Sequence, residues 1–490
     1  MKIIFATSEA VPFAKTGGLG DVSGTLPKVL AQMGHEVTLI LPKYRQINEK
    51  KFKLIKKEIE LQVPVAQKME AAEVYAVELA PRFNALLVRQ DTYYHRDQLY
   101  GTTNGDFEDN AERFIFFSRS VLEVALALRL QPDIIHCNDW QTGLIPVYLK
   151  TLYQDPSSLG QSVSVFTIHN LAYQGLFWHY DMPMTNLGWE LFIPEALEFY
   201  DKINFLKGGI VFADAVTTVS RKYMEEIQTE EFGCGLEGVF QDRREDLYGI
   251  LNGVDYGEWS PAADPFIKQK YGPSDLTGKR ECKADLQREF RLPTKEDVPL
   301  IGSISRLAEQ KGIDLIVANM EKMMDLGLQF VLLGTGEEKY HLQFQKFSEK
   351  YPQQIGVKIG FDNALAHKIE AGADMFIMPS RFEPCGLNQI YSLKYGTVPI
   401  VRATGGLDDT IQDFTPTNQG GNGFKFGDYS PSYLWETIQR ALQVYRNQVA
   451  WEKLMRRGMS ADFSWEQSAG EYLKVYQETS AKKKNRNGKE

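Results

Sequence analysis

The chain has 490 residues, 43% of them hydrophobic and 24% charged, with Gly and Pro together about 12%; collagen-like, low-complexity and disordered classes are excluded. A single hydrophobic core stops growing well below this length, so two large domains are expected. The net charge of −9, with five Lys/Arg concentrated in the last ten positions, makes the body a poor general binder of phosphate backbones, and no nucleic-acid partner is expected.

Four cysteines, Cys137, Cys234, Cys282 and Cys385, lie 48 or more residues apart. That spacing suggests neither a disulfide framework nor a zinc ribbon. The N-terminal apolar run ends at Glu9, too early for a signal segment, and no stretch approaches 18 apolar residues. A cytoplasmic protein with no membrane partner is expected.

Short β-branched or apolar runs recur, each followed by a loop and a helix-period segment. They are residues 3–7, 36–41, 133–136, 163–169, 215–220, 247–251, 300–305, 329–333, 375–379 and 398–401. Strands apolar on both faces that alternate with helices predict parallel sheets covered on both sides. Residues 22–33 and 111–128 read as helices, the second amphipathic. The rhythm breaks across 253–295, where Pro261, Pro265, Pro273 and Pro293 flank one helix at 279–290, and a domain boundary is placed there. The expected division is 1–247, then 248–462, with a C-terminal helix at 463–478 and a basic, frayed tail at 479–490.

Ligands of open α/β sheets sit outside the carboxyl ends of the strands, so the loops there are expected to carry the chemistry. After the first strand comes Lys15-Thr16-Gly17-Gly18-Leu19-Gly20-Asp21, a Gly-rich approach to a helix N-terminus with a lysine beside it, suited to an anion. His136-Cys137-Asn138-Asp139-Trp140-Gln141 and His169-Asn170 follow later strands and offer hydrogen-bonding groups and an aromatic face for a sugar; Trp140 serves equally well as core. In the second half, Arg306 and Lys311 share one strand-end loop, a guanidinium fork and a point charge for a phosphate-bearing ligand. Gly334-Thr335-Gly336 and Gly405-Gly406 are further candidate anion sites. Glu383, in the Pro- and Gly-bounded turn Ser380-Arg381-Phe382-Glu383-Pro384-Cys385-Gly386, belongs beside a sugar or ribose more than in a core. No Asp-x-Asp and no His-x-x-x-His occurs, so no metal is expected. Neither half has Gly-x-Gly-x-x-Gly after its first strand, which disfavours a dinucleotide oxidoreductase.

With Lys15 to Val22, Arg306 with Lys311, Ser380 to Gly386 and Thr404-Gly405-Gly406-Leu407 in this order, the chain resembles the glycogen/starch synthases over 1–477, most closely the bacterial and plant branch. The resemblance implies an α/β fold of the GT-B type, two Rossmann-like doubly wound domains facing a deep cleft. It implies retaining, metal-independent transfer of glucose from ADP-glucose to the non-reducing end of an α-1,4-glucan, without a cofactor. Carried over by position, it assigns Glu383, Arg306, Lys311, His169 and Asp139 to catalysis. Lys15, Gly17, Gly18, Asn252, Gly336, Phe361, Gly405, Gly406 and Tyr391 go to donor binding, and Trp140 and Asn170 to the acceptor. Tyr391 stands where the wider retaining pattern has a second glutamate, eight residues after Glu383. The resemblance also implies that the C-terminal helix packs back on the first domain, giving Trp465, Tyr472, Leu473 and Tyr476 a partner. A phosphorylase-type glucan enzyme shares the fold but needs covalent pyridoxal phosphate, and a catalytically dead sensor would be expected to lose the charged groups that are present here.

Overall fold

A computed structural model describes residues 1–102, 105–155, 159–415 and 420–487 of the protein. The chain forms two compact units. One comprises Met1–Val219, Met224–Ile250 and the segment from Trp465 onward; the other comprises Ser220–Tyr223 and Leu251–Ser464.

The first unit is built on a ten-stranded sheet. Its parallel part runs, in spatial order, Leu247–Gly249, Ala215–Thr218, Val163–Ile168, Ile134–Asn138, Lys2–Ala6, Glu36–Pro42 and Phe83–Arg89. Chain order reverses between Lys2–Ala6 and Ile134–Asn138, so their carboxyl ends flank a switch point. The strand Lys68–Ala80 then adds antiparallel to Phe83–Arg89, an extension absent from the sequence reading because its face alternates weakly.

The helix Gly18–Gln32 starts four residues before the expected position and buries Leu19, Val22, Leu26, Val29 and Leu30 along one stripe. The helix Asn110–Ala127 departs from its expected amphipathic form, since it is buried on nearly every side. Its Arg113 is tolerated there because the guanidinium donates to the carbonyls of Tyr93 and Leu99 and to Asn110 Oδ1.

The expected frayed tail is instead ordered helix through Asn487. Trp465, Ala469, Tyr472, Tyr476 and Thr479 recur at helical spacing and are buried in the first unit. Tyr476 Oη lies 2.6 Å from His136 Nδ1 in the sheet. Beyond it, Lys482 pairs with Asp246 at 3.0 Å and Lys483 donates to Ser162 O at 2.6 Å. These lysines have carboxylate and carbonyl partners, which is why charge alone did not leave the segment solvated.

The second unit has a wholly parallel six-stranded sheet in the spatial order Ile355–Ile359, Gln329–Gly336, Leu300–Leu307, Met375–Met378, Val398–Arg402 and Phe424–Phe426. Numbered along the chain this is 3-2-1-4-5-6, the dinucleotide-fold order, with the switch point between Leu300–Leu307 and Met375–Met378. Separate apolar clusters cover its two faces: Ile316, Met320, Phe330, Ile377 and Ile438 in one, Leu286, Val331, Ile369 and Phe376 in the other. Burying each such side chain stabilises the unit by about 1.5–3 kcal/mol, enough to hold the strand-end loops on a rigid base.

Candidate functional site

In the second unit, the loops leaving the two switch-point strands meet. Lys311 Nζ lies 2.6 Å from Glu383 Oε2, and Ser380 Oγ donates to the same oxygen at 3.1 Å. A pocket of about 200 Å3 opens there, with Ser303, Ser305, Arg306, Ser380 and Asn388 among its lining. Arg306 is exposed and donates to Gln310 Oε1 at 2.8 Å. Two cations and a carboxylate therefore stand at the carboxyl ends of adjacent strands, where the sequence reading assigned them. The seryl and Asn388 groups were missed; their signal was position at those same two strand ends.

The glycines behave differently from their expected role. A Cβ on Gly405 would lie 2.0 Å from Glu383 O, and one on Gly406 2.0 Å from Cys385 O. Gly405 also has φ +44°, the left-handed region that a side chain disfavours. The Gly406 N–H donates to the carbonyls of Glu383 and Pro384. The Gly406 amide, assigned to a phosphate, is thus engaged by these carbonyls, and the small size of both glycines brings the 404–406 turn onto the Glu383 turn and fixes it. Gly336 likewise gives its N–H to His341 Nε2 at 3.0 Å, and a Cβ there would lie 2.3 Å from Leu307 O. Close strand pairing accounts for it.

Tyr391, assigned to donor binding, has one ring face covered. Its ring lies flat against Trp259, 4.0 Å away and 7° from parallel, and Trp259 in turn stacks on His367 at 3.8 Å. Phe361 is 90% exposed just before the helix Asn363–Gly372, leaving its ring face open to a planar ligand. Asn252 is buried, and its Oδ1 has no hydrogen-bond partner among the described residues.

In the first unit, the switch-point loops carry Glu9, which the sequence reading missed although it lies only three residues beyond the first strand, Lys2–Ala6. Its carboxylate accepts from Thr16 N at 2.5 Å, Thr16 Oγ1 at 2.6 Å, Gly17 N at 3.2 Å and Tyr100 Oη at 2.7 Å. The Gly17 amide expected to meet an external anion is therefore engaged by an internal one. Lys15 pairs with Asp21 at 2.7 Å, both well exposed, a contact too weak to hold it from a ligand. A Cβ on Gly18 would meet nothing within 4 Å, so the approach to the helix there is open.

Asp139 sits at φ 55°, ψ −179°, a conformation that ordinarily calls for glycine and marks local strain. Its Oδ1 accepts from His169 N at 2.7 Å. Burial, reinforced by the charge of Glu9 and opposed by the His169 and Asn170 amides, raises its carboxyl to about 7. His169 Nε2 meets Asn138 Oδ1 at 3.0 Å, and burial pushes its ring down to about 3. Asn170 Oδ1 accepts from Ala172 N at 3.1 Å and shapes the turn after it. Trp140 is corrected: it is 9% exposed, edge-on to Phe114 at 4.8 Å and against Phe177 at 5.6 Å. It is core, and no sugar reaches its face.

A larger polar depression of about 600 Å3, among Met1, Arg82, Gln131 and Gln161, lies at the amino ends of the strands, the end opposite the one ligands take in such sheets. Among the described residues, no helix is long and apolar enough to cross a membrane.

Comparison with known proteins agrees with this arrangement. The family described as starch synthase catalytic domain matches residues 2–242, and glycosyl transferases group 1 matches 286–457. A glycogen synthase of Koribacter versatilis is 50% identical over 97% of this chain and 98% of its own, and one of Moorella thermoacetica 48% over 99% and 98%. The solved catalytic domain of starch synthase IV from Arabidopsis thaliana, bound to ADP and acarbose, superposes with a TM-score of 0.89 at 34% identity, covering 98% of this chain and 99% of that one. On this identity along essentially its whole length, the chain belongs to the glycogen/starch synthase family of glucosyltransferases.

Proposed function

We propose that the protein transfers glucose from ADP-glucose to the non-reducing end of an α-1,4-glucan with retention at the anomeric carbon, using no metal. The observation that carries this reading is the Lys311–Glu383 pair at the second unit's switch point, bordered by Arg306 and the 200 Å3 pocket. The bond from the anomeric carbon to the diphosphate breaks, and negative charge grows on the leaving oxygen; Lys311 and Arg306 are fixed cations for it. Glu383 orients the sugar and balances the positive charge on its ring. The acceptor hydroxyl attacks the face that the diphosphate leaves, and its proton passes to the departing phosphate oxygen. In the first unit, Asp139, His169 and Asn170 hold hydroxyls of the glucosyl unit and the acceptor. ADP as the carrier is supported by the ligand of the plant starch synthase structure.

Transfer of radiolabel to glycogen from ADP-glucose and from UDP-glucose, compared side by side, tests the donor. Preference for UDP-glucose overturns it. The same assay after exhaustive EDTA treatment tests the leaving-group account. Loss of activity restored by Mg2+ or Mn2+ shows that a metal supplies the charge assigned to Lys311 and Arg306.

A further inference from the structure

We propose that Asn138 is a positioning residue that holds His169 as the Nε2–H tautomer, so that Nδ1 accepts a hydrogen bond from a hydroxyl of the transferred sugar. This rests on the reading above that His169 borders the glucosyl unit. Asn138 is fully buried at the end of the strand Ile134–Asn138. Its Nδ2 donates to Ala6 O at 3.0 Å, on the neighbouring strand, and its backbone carbonyl accepts from Thr142 Oγ1 at 2.9 Å. Ala6 O can only accept, so the amide has one orientation, and Oδ1 is the atom that faces His169 Nε2 at 3.0 Å. Oδ1 can only accept as well. The imidazole must therefore carry its proton on Nε2, and since burial keeps the ring neutral, Nδ1 is bare. A ring in that state binds a hydroxyl by accepting, and it is not a general acid. The remaining titratable groups of the cluster are Asp139, through its contact with the His169 amide, His136, whose ionised form is disfavoured by burial and then by His169, and Glu9, whose charge acts on Asp139.

Asn138→Asp places a carboxylate beside Nε2, which favours the imidazolium and raises the His169 pKa. The imidazolium donates from both nitrogens, so the acceptor is lost as pH falls. The expected result is a new acid limb in kcat/KM for ADP-glucose: activity at pH 6 relative to pH 8.5 falls at least tenfold against the parent, while KM for glycogen stays within about threefold. Asn138→Leu releases the ring from one tautomer and lowers kcat about 10- to 100-fold at every pH. Histidine-selective 15N labelling of the parent supplies a readout that needs no folded Asn138 variant. An unprotonated Nδ1 signal that persists to pH 5 and is absent from His169→Asn is expected, whereas a protonated Nδ1 on the neutral ring overturns the proposal. A parental pH profile in folded Asn138→Asp, with His169→Ala impaired, overturns the positioning role alone. Parental kcat in His169→Ala overturns it together with the assignment of His169 to the glucosyl unit.

Discussion

Lys311 Nζ and Glu383 Oε2 stand 2.6 Å apart, one on the loop after the first strand of the second unit's sheet and the other on the loop after its fourth. The glutamate is nearly buried and the lysine about one-fifth exposed. Each therefore neutralises the other until the substrate brings its own charges. Lys311→Ala is expected to lower kcat on the order of 10² to 10³-fold, the loss typical of one preorganised group facing transition-state charge, with the acceptor KM within a few-fold of the parent. It also leaves the Glu383 carboxylate unpaired, at a cost of about 1–3 kcal/mol in thermal unfolding. Lys311→Arg should recover little, because a planar fork does not replace a point charge at this distance. Near-parental kcat in steady-state assays of Lys311→Ala would remove the residue from the reaction.

Gly405→Ala and Gly406→Ala test whether the second turn exists to seat the first. Each added methyl would lie 2.0 Å from a backbone oxygen of the 383–385 segment, and neither oxygen belongs to a side chain that can swing aside. A loss of about 1–3 kcal/mol in chemical denaturation is expected, together with a fall in kcat, since Glu383 moves with its own carbonyl. Full stability in both variants would show that the two turns part at no cost.

Asp139 gives stability a pH dependence of known sign. Its carboxyl titrates near 7 in the folded chain and near 3.8 unfolded, so between these values the native state holds a proton that the unfolded chain has lost. Its contribution is fully present below pH 3.8 and fades as pH rises through 7. Asp139→Asn mimics the protonated form and still offers an oxygen to the His169 amide. The variant's stability relative to the parent is expected to rise across pH 4 to 7, reaching on the order of a few kcal/mol at pH 8. Urea titrations at pH 4.5, 6 and 8 measure the difference, and a pH-independent gap contradicts it.

His136 and Tyr476 tie the C-terminal helix to the sheet through one buried contact of 2.6 Å. Tyr476→Phe removes the hydroxyl and leaves His136 Nδ1 without it, at a cost of about 1–3 kcal/mol. Lys483→Ala weakens the last turns, because Asp214, 8% exposed, keeps only Lys150 of its two lysine partners; about 1 kcal/mol is expected. Both are read as shifts of the thermal midpoint. An unchanged midpoint for Tyr476→Phe would mean that apolar burial alone docks the helix.

The sequence by itself determined the alternating strands and helices, because strands covered on both faces must be apolar throughout and helices must carry a stripe. It also determined which loops hold chemistry: Arg306, Lys311, Glu383, Asp139 and His169 are polar groups placed directly after such strands, where a core has no use for them. Only the tertiary structure decided what each group faces. Whether Trp140 is a platform or core depends on Phe114 and Phe177, and whether Gly406 offers its amide depends on the Glu383 and Pro384 carbonyls. Glu9 fills the Gly17 amide from eight residues away, and the basic tail finds Asp246 and Ser162 more than 230 positions upstream. Local propensity carries no information about such partners. Burial and hydrogen-bond satisfaction are properties of distant segments brought together, and these decide whether a polar or aromatic residue is free to meet a substrate.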